Sequence, residues 1–335
     1  MKKPRILCIK HKASSVSKYR IDPLIENLNA KVRKSIMRIN DKVTIGELAK
    51  RYKKLGDIWV FKYIADRHTL DVLYTMRNEI GSKIVVDVDD NVWQIPLGNI
   101  SRGLNEDFIN RSLMMAESIR CADWVTVSTE PLKQALLPLN ENVAILPNYV
   151  KPSEWKFKRK PHKKVRIGWV WSLTHIPDNQ EVEEALKKIK AKYGDKIEIV
   201  IFGASANIFD FDTVNIPAVK YTEYPKTFME AGIDISIAPL ADNEFNRCKS
   251  NIKFLESTMA GACFIGSKVY PYEYSVKQGK TGYVCNGENQ WVKHLSYLIE
   301  NPDKRKELVK NAKKEVLAKY TSSKEWESFY KLISE

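Results

Sequence analysis

Residues 245–267 read FNRCKSNIKFLESTMAGACFIGS, and the order of residue types predicts one amphipathic helix that stops at Gly261 before an apolar strand over 263–266. Arg247, Lys249 and Lys253 fall on the opening turns of that helix, with Ser250 among them. The free N–H groups and dipole of a helix N-terminus favour an anion, and three cations beside it suit a doubly charged phosphate. Glu256 lies a turn or more further on, where a carboxylate accepts hydrogen bonds from a diol instead of repelling phosphate. Phosphate at the helix start and a sugar diol beyond it is the layout a bound nucleoside diphosphate needs. The alternative reading is a basic surface helix packed on a sheet.

Outward from this stretch the chain alternates apolar strands and amphipathic helices. Strands are predicted over 5–10, 32–39, 58–64, 83–90, 124–128 and 143–146, then again over 164–170, 196–202 and 233–240. Helices are predicted between them, over 21–29, 44–55, 69–79, 105–120, 130–137 and 179–193. This rhythm is that of an α/β protein with doubly wound sheets, and 335 residues allow two domains. Pro147, Pro152 and Pro161 cluster where the first half ends, which sets a first domain at 1–150 and a second at 151–321. The loop expected over 11–20, HKASSVSKYR, lacks G-x-G-x-x-G, so no dinucleotide site is read there. Its position beyond the first strand makes Tyr19 and Arg20 candidates for a cleft between the domains; Arg20 equally suits a carbonyl cap or a pair with Asp22.

The run K-S-x-I-K-x-x-E-x-x-x-A-G, from Lys249 to Gly261, resembles the donor-binding segment of retaining GT-B glycosyltransferases of the family 4 type. Pro147-Asn148-Tyr149 resembles the P-N-G crossing between GT-B domains, with Tyr149 in place of the glycine. The strand around Gly168, followed by Trp171 to His175, resembles the first turn of a GT-B donor domain, although the usual Arg and Lys of that turn are missing. The resemblance implies two Rossmann-like domains facing a cleft, a nucleotide-sugar donor such as UDP-glucose, retention of configuration, and no metal or other cofactor. It implies that Glu256 holds the ribose, that Arg247, Lys249, Ser250 and Lys253 hold the diphosphate, and that Gly168 and His175 sit beside it; His175 also reads as a structural histidine. It further implies that the terminal helix, 322–335 with Trp326, Phe329 and Tyr330 on one side, packs back on the first domain. The family usually carries a second glutamate eight residues before the first, contacting the sugar. Here that position is Cys248, so the sugar contacts must come from elsewhere.

Residues 83–90 read KIVVDVDD, an apolar strand ending in acids. Asp87, Asp89 and Asp90 suit a hard divalent cation by spacing, or an acceptor hydroxyl that one of them orients or deprotonates, or simple capping of the next helix. The metal-independent donor signature in the other half favours the acceptor role, with Arg20, Tyr19 and Trp93 as further cleft candidates.

The net charge is +14, and residues 1–54 hold sixteen Lys or Arg against four acids, a local net of +12. A second basic run, 156–166 (KFKRKPHKKVR), has seven Lys or Arg and no acid. Such stretches attract polyanions or anionic headgroups, or merely solvate the surface. They suit a polyanionic acceptor, DNA or a membrane-associated glycan alike. The chain is similar to compact, basic phage DNA glycosyltransferases, which implies DNA bearing a 5-hydroxymethylpyrimidine. The helix over 44–55 has no apolar residues beyond a core face, which puts DNA first. A non-catalytic nucleic-acid-binding protein on the same scaffold is a third reading. The five cysteines form no C-x-x-C pair, and no signal peptide or membrane span is read, which together suit a cytoplasmic protein.

Overall fold

The computed structural model describes residues 5–10, 15–22, 24, 28, 31–33, 47, 50, 56–62, 64, 66–97, 99, 106–171, 178, 180–203, 209–321 and 324–334. The first half contributes strands β1 (Ile6–Lys10), β2 (Lys31–Arg33), β3 (Ile58–Lys62), β4 (Lys83–Asp87), β5 (Trp124–Val127) and β6 (Val143–Ile145), with helices α1 (Ser15–Arg20), α2 (Arg67–Asn78), α3 (Glu106–Cys121) and α4 (Glu130–Leu136). The second half contributes β7 (Val165–Val170), β8 (Ile197–Gly203), β9 (Val214–Pro217), β10 (Ile235–Ala238), β11 (Cys263–Ser267) and β12 (Tyr283–Cys285). Its helices are α5 (Gln180–Tyr193), α6 (Tyr224–Glu230), α7 (Glu244–Arg247), α8 (Ile252–Ala260), α9 (Tyr270–Glu273), α10 (Glu288–Glu300) and α11 (Pro302–Lys319), and α12 (Lys324–Leu332) closes the chain.

Each half is one parallel sheet of six strands, in the orders β2-β1-β3-β4-β5-β6 and β12-β11-β10-β7-β8-β9. Parallel sheets need cover on both faces, and β3 (IWVFK) and β11 (CFIGS) are buried at every position. The second order is that of a dinucleotide-binding sheet, and its switch point lies between β7 and β10; the first switches between β1 and β3. Ligand sites in such sheets lie beyond the carboxyl ends of the strands at those points.

The terminal helix α12 lies on the first sheet. Trp326, Phe329, Tyr330 and Ile333 pack with Ile6, Cys8, Ile58, Val60 and Val85, and the Trp326 indole donates to the Pro147 carbonyl at 3.1 Å. Burial of that aromatic face at ~1.5–3 kcal/mol per large apolar side chain makes the return of the chain a substantial contributor to the first domain. No helix among the described residues is long and apolar enough to cross a membrane.

Three local expectations change. Helix α1 begins at Ser15, inside the stretch expected as a loop, because buried Tyr19 and Arg20 anchor a helical turn against the core. Strand β9 was not expected; its alternating pattern VNIP is short and ends in a proline, which an edge strand tolerates. The single helix expected from Arg247 onward is two: α7 ends at Arg247 and α8 begins at Ile252. Asn243 caps α7 by accepting from the Asn246 N–H at 2.9 Å, and Gly261 ends α8 in the left-handed conformation at φ 78°. The helix expected over 44–55 lies outside the described residues except for Glu47 and Lys50, both exposed.

Candidate active site

The turn between α7 and α8, Cys248 to Asn251, sits at the seam of the two domains. From the first domain, Thr129 donates its hydroxyl to the Cys248 carbonyl at 2.8 Å, and the Asn91 amide donates to the Cys248 sulfur at 3.7 Å. Asp90 lies 3.8 Å from the Lys249 ammonium, and the Asn148 amide donates to the Ser250 hydroxyl at 2.8 Å. Phe245 and Cys248 pack into the core of the first domain beside Val92. These long-range contacts fix the break between the helices, which the local apolar period alone would have run through. They also explain the departure at Cys248: the position where the resembling family carries a sugar-binding glutamate is a buried thiol used in docking the domains. Burial pushes that thiol's pKa up.

Helix α8 carries Lys253 and Glu256. Glu256 is only 4% exposed, and its carboxylate is the centre of a network. Tyr19 of the first domain donates to Oε1 at 2.7 Å; Tyr224 and Lys253 donate to Oε2 at 2.9 and 3.2 Å. Tyr19 stands edge-on to Tyr221 at 5.7 Å, which stacks on Tyr224 at 6.1 Å. Burial, and then the Glu256 charge, hold the Tyr19 phenol well above its ordinary pKa, so it stays a donor. Tyr19 is therefore a buried strut from α1 to α8, at the seam of the domains as expected but with no face open to an acceptor, which corrects its acceptor-side reading.

Arg247 is engaged by Asp242, through Nε at 2.7 Å and Nη2 at 3.0 Å, in an exposed pair, while Lys253 meets Glu256 at 3.2 Å and Lys249 lies 3.8 Å from Asp90. Gly168 lies within β7, and a Cβ there would come 2.3 Å from Ile233. It is small to admit that side chain, which corrects its reading as a phosphate approach. His175 lies outside the described residues.

The three acids separate. Asp87, 1% exposed at the end of β4, accepts from Arg20 Nη2 at 2.6 Å and from the Thr126 hydroxyl at 2.7 Å, with Lys62 at 3.2 Å. Arg20 is 0% exposed, also donates to the Leu146 carbonyl, and lies 4.8 Å over the Trp326 ring. Burial alone would raise the Asp87 pKa; the charges of Arg20 and Lys62, with the hydrogen bonds from Arg20 and Thr126, outweigh it and hold the carboxyl below its ordinary value. A fully enclosed ion pair has no access to substrate, so Asp87 and Arg20 are structural, a correction to their catalytic reading. Asp89 shares the Lys62 ammonium with Asp87, at 3.0 Å, but it and Asp90 also open to a cleft. The cleft, of about 440 Å³, has Ile95, Arg111, Phe245 and Lys249 in its wall and joins the end of β4 to the α7–α8 turn. Trp93 is half-buried against the first core.

Lys62, the network at Glu256 and the Asn148–Ser250 contact were not foreseen from sequence. Lys62 is a charged residue at the end of an apolar strand, a signal that was available. In the basic run over 156–166, Arg159 pairs with Asp234, Lys160 with Glu230, Lys164 with Asp195 and Arg166 with Glu198. Four of its seven cations thus stitch the strap to the second domain, leaving less charge for a polyanion.

Two parallel-sheet domains closed over such a seam define the GT-B class of fold. Residues 179–331 match the protein family described as Glycosyl transferase-like. The crystal structure of Anabaena HepE in complex with UDP and glucose aligns with a TM-score of 0.66 and 12% identity, covering 99% of this chain and 100% of that chain. A glycosyltransferase from Rickettsia africae gives 0.65 and 13%, covering 100% of both chains. Sucrose-phosphate synthase from Thermosynechococcus elongatus gives 0.61 and 12%, covering 98% of this chain and 97% of that one. The chain has the GT-B fold. Comparison with curated protein sequences gives no match.

The network at Glu256 carries a prediction. A carboxylate has about four lone-pair sites, and three are taken, so a diol that needs Oε1 competes with Tyr19. Tyr19→Phe keeps the packing and removes that donor. UDP binding by calorimetry is expected to tighten several-fold, and weaker binding would mean that the phenol helps to hold the nucleotide.

Proposed function

We propose that this protein is a glycosyltransferase that moves a sugar from a UDP-sugar to an acceptor hydroxyl. The observation that carries the reading is the α7–α8 turn: Lys249, Lys253 and the start of α8 lie beyond β10, at the switch point of the second sheet, with Glu256 one turn on. The UDP and glucose named with the Anabaena structure fit such a site in kind. As the glycosidic bond breaks, negative charge builds on the departing diphosphate, and Lys249, Lys253 and the free N–H groups of α8 oppose it. Glu256 anchors the ribose. Asp89 or Asp90, across the cleft from Lys249, orients the acceptor hydroxyl. Retention of configuration and independence from a divalent metal follow from the sequence resemblance. The five cysteines, scattered and without a C-x-x-C pair, suit a reducing, cytoplasmic compartment.

Two acceptors fit. The +12 charge of residues 1–54 suits hydroxymethylated DNA. Two observations favour a membrane-associated glycan instead: Tyr19 is buried and cannot stack on a flipped base, and Leu97, Ile109 and Leu113 of the first domain are exposed large apolar side chains. The test incubates the protein with UDP-glucose and EDTA, and with either 5-hydroxymethylpyrimidine DNA or a lipid-linked glycan on anionic vesicles. Products are read by mass spectrometry. A hexose gain on either acceptor identifies it; neither UDP release nor transfer, with UDP bound normally, would sink the enzyme reading.

A further inference from the structure

Helix α11 carries a row of lysines along one flank. Leu308, Ala312 and Val316 are buried in the core, and the helical period measured from them puts Lys306, Lys310, Lys313 and Leu317 together on one side, all exposed. Glu307 and Glu315 fall on the opposite side, where Glu315 meets Lys277 and Lys319. The lysine flank is therefore free of those two acids.

The strap between the domains brings the same chemistry alongside. At the C-terminal end of α11 the Val150 N–H donates to the Tyr320 carbonyl at 2.7 Å. Near its N-terminal end Arg159 shares a recess of about 450 Å³ with Lys306, Val309 and Lys310. Strap and helix thus run in opposite directions, and Lys156, Phe157 and Lys158, all exposed, lie in the stretch between those two contacts. Asp234 and Gly261, which also line the recess, precede β10 and β11. This puts the recess at the amino ends of the strands, away from the α7–α8 turn.

The charges here are not consumed. Lys156, Lys158, Lys310 and Lys313 have no acidic partner among the described residues, and Lys306 has Asp303 at 3.0 Å in a pair open to solvent. Basic side chains alone could be solvating. Among them, however, stand two large apolar side chains, Phe157 at 42% and Leu317 at 40% exposure, which water does not favour. An anionic bilayer meets both needs, with phosphates for the lysines and an acyl boundary just beneath for the apolar groups. A nucleic acid offers the phosphates but gives a leucine little to be buried in.

We propose that this face of the second domain, formed by the lysine flank of α11 and residues 156–158 of the strap, docks on an anionic lipid surface. The lysines meet headgroup phosphates, and Phe157 and Leu317 enter the headgroup region. The proposal stands apart from the donor-site assignment, because docking is measured without nucleotide or sugar transfer.

The test is sedimentation of the full chain with vesicles of phosphatidylcholine, with and without phosphatidylglycerol. Binding is expected to the anionic vesicles alone, and to weaken as salt rises. Lys306→Glu, Lys310→Glu and Lys313→Glu combined should weaken it about tenfold or more. Lys196→Glu, Lys280→Glu and Lys293→Glu combined make the same change in net charge elsewhere on the second domain, and should weaken it far less. Phe157→Ala should weaken it several-fold at constant charge. Absence of binding to anionic vesicles would overturn the proposal, as would equal losses in the two triple variants or indifference to Phe157→Ala. Tighter binding of duplex DNA than of vesicles, lost in the α11 triple variant, would also overturn it and give the face to nucleic acid.

Discussion

Asp87→Ala is expected to destabilise the protein by about 3–5 kcal/mol, the cost of leaving a buried charge without its partner. Arg20 and Lys62 are both enclosed, and the Asp87 carboxylate meets both. Lys62 retains Asp89 at 3.0 Å, but among the described residues Arg20 keeps the Leu146 carbonyl and the Trp326 ring alone. The loss should therefore extend to α12, which Trp326 anchors to the first sheet. Urea unfolding followed by tryptophan fluorescence measures it. The effect depends on pH with a definite sign. The folded Asp87 carboxyl titrates below its ordinary value, so its contribution is complete above the unfolded pKa of about 3.9 and is lost as pH falls through the lower, folded value. The gap between wild type and variant should accordingly be full at pH 7 and shrink in strong acid. A variant of unchanged stability that lost transferase activity would return Asp87 to the chemistry.

Glu256→Ala is expected to raise the Kd for UDP about 10- to 100-fold, from the loss of ribose hydrogen bonds to a charged acceptor worth about 1.5–3 kcal/mol. The substitution also leaves the Tyr19 and Tyr224 hydroxyls without their acceptor, so part of its effect is on the closed arrangement of the domains. Glu256→Gln separates the two effects. It keeps an acceptor oxygen for the phenols but removes the charge that Lys253 and a diol respond to, so it should preserve the thermal transition and still lose UDP affinity. Calorimetric titration with UDP and a melting curve on each variant decide it. Unchanged UDP affinity in a folded Glu256→Ala protein would remove α8 from the donor site.

The two predictions concern residues that sequence treats very differently. The helix that carries Glu256 was legible because its signals are local: a helix period, a glycine stop and an apolar strand all lie between residues 245 and 267. The same locality exposed the strand–helix alternation, the proline-rich crossing near 151 and the aromatic face of the last helix. Asp87 was misread because nothing within a few residues of it reveals Arg20, 67 positions away, or the register that sets Lys62 and Thr126 beside it on β3 and β5. The acids at 87, 89 and 90 look equivalent as a string, and only the sheet decides that one is enclosed and two face the cleft.

The sequence by itself determined the two-domain α/β architecture and the helix that carries Lys253 and Glu256, since side-chain periodicity and helix termination act over a few residues. Tertiary structure alone decided which charges remain available. Tyr19 reaches Glu256 across 237 residues and Asn148 reaches Ser250 across 102. Such contacts exist only once the domains close, because desolvation and hydrogen bonding at a seam depend on which surfaces meet, and no local pattern encodes that meeting.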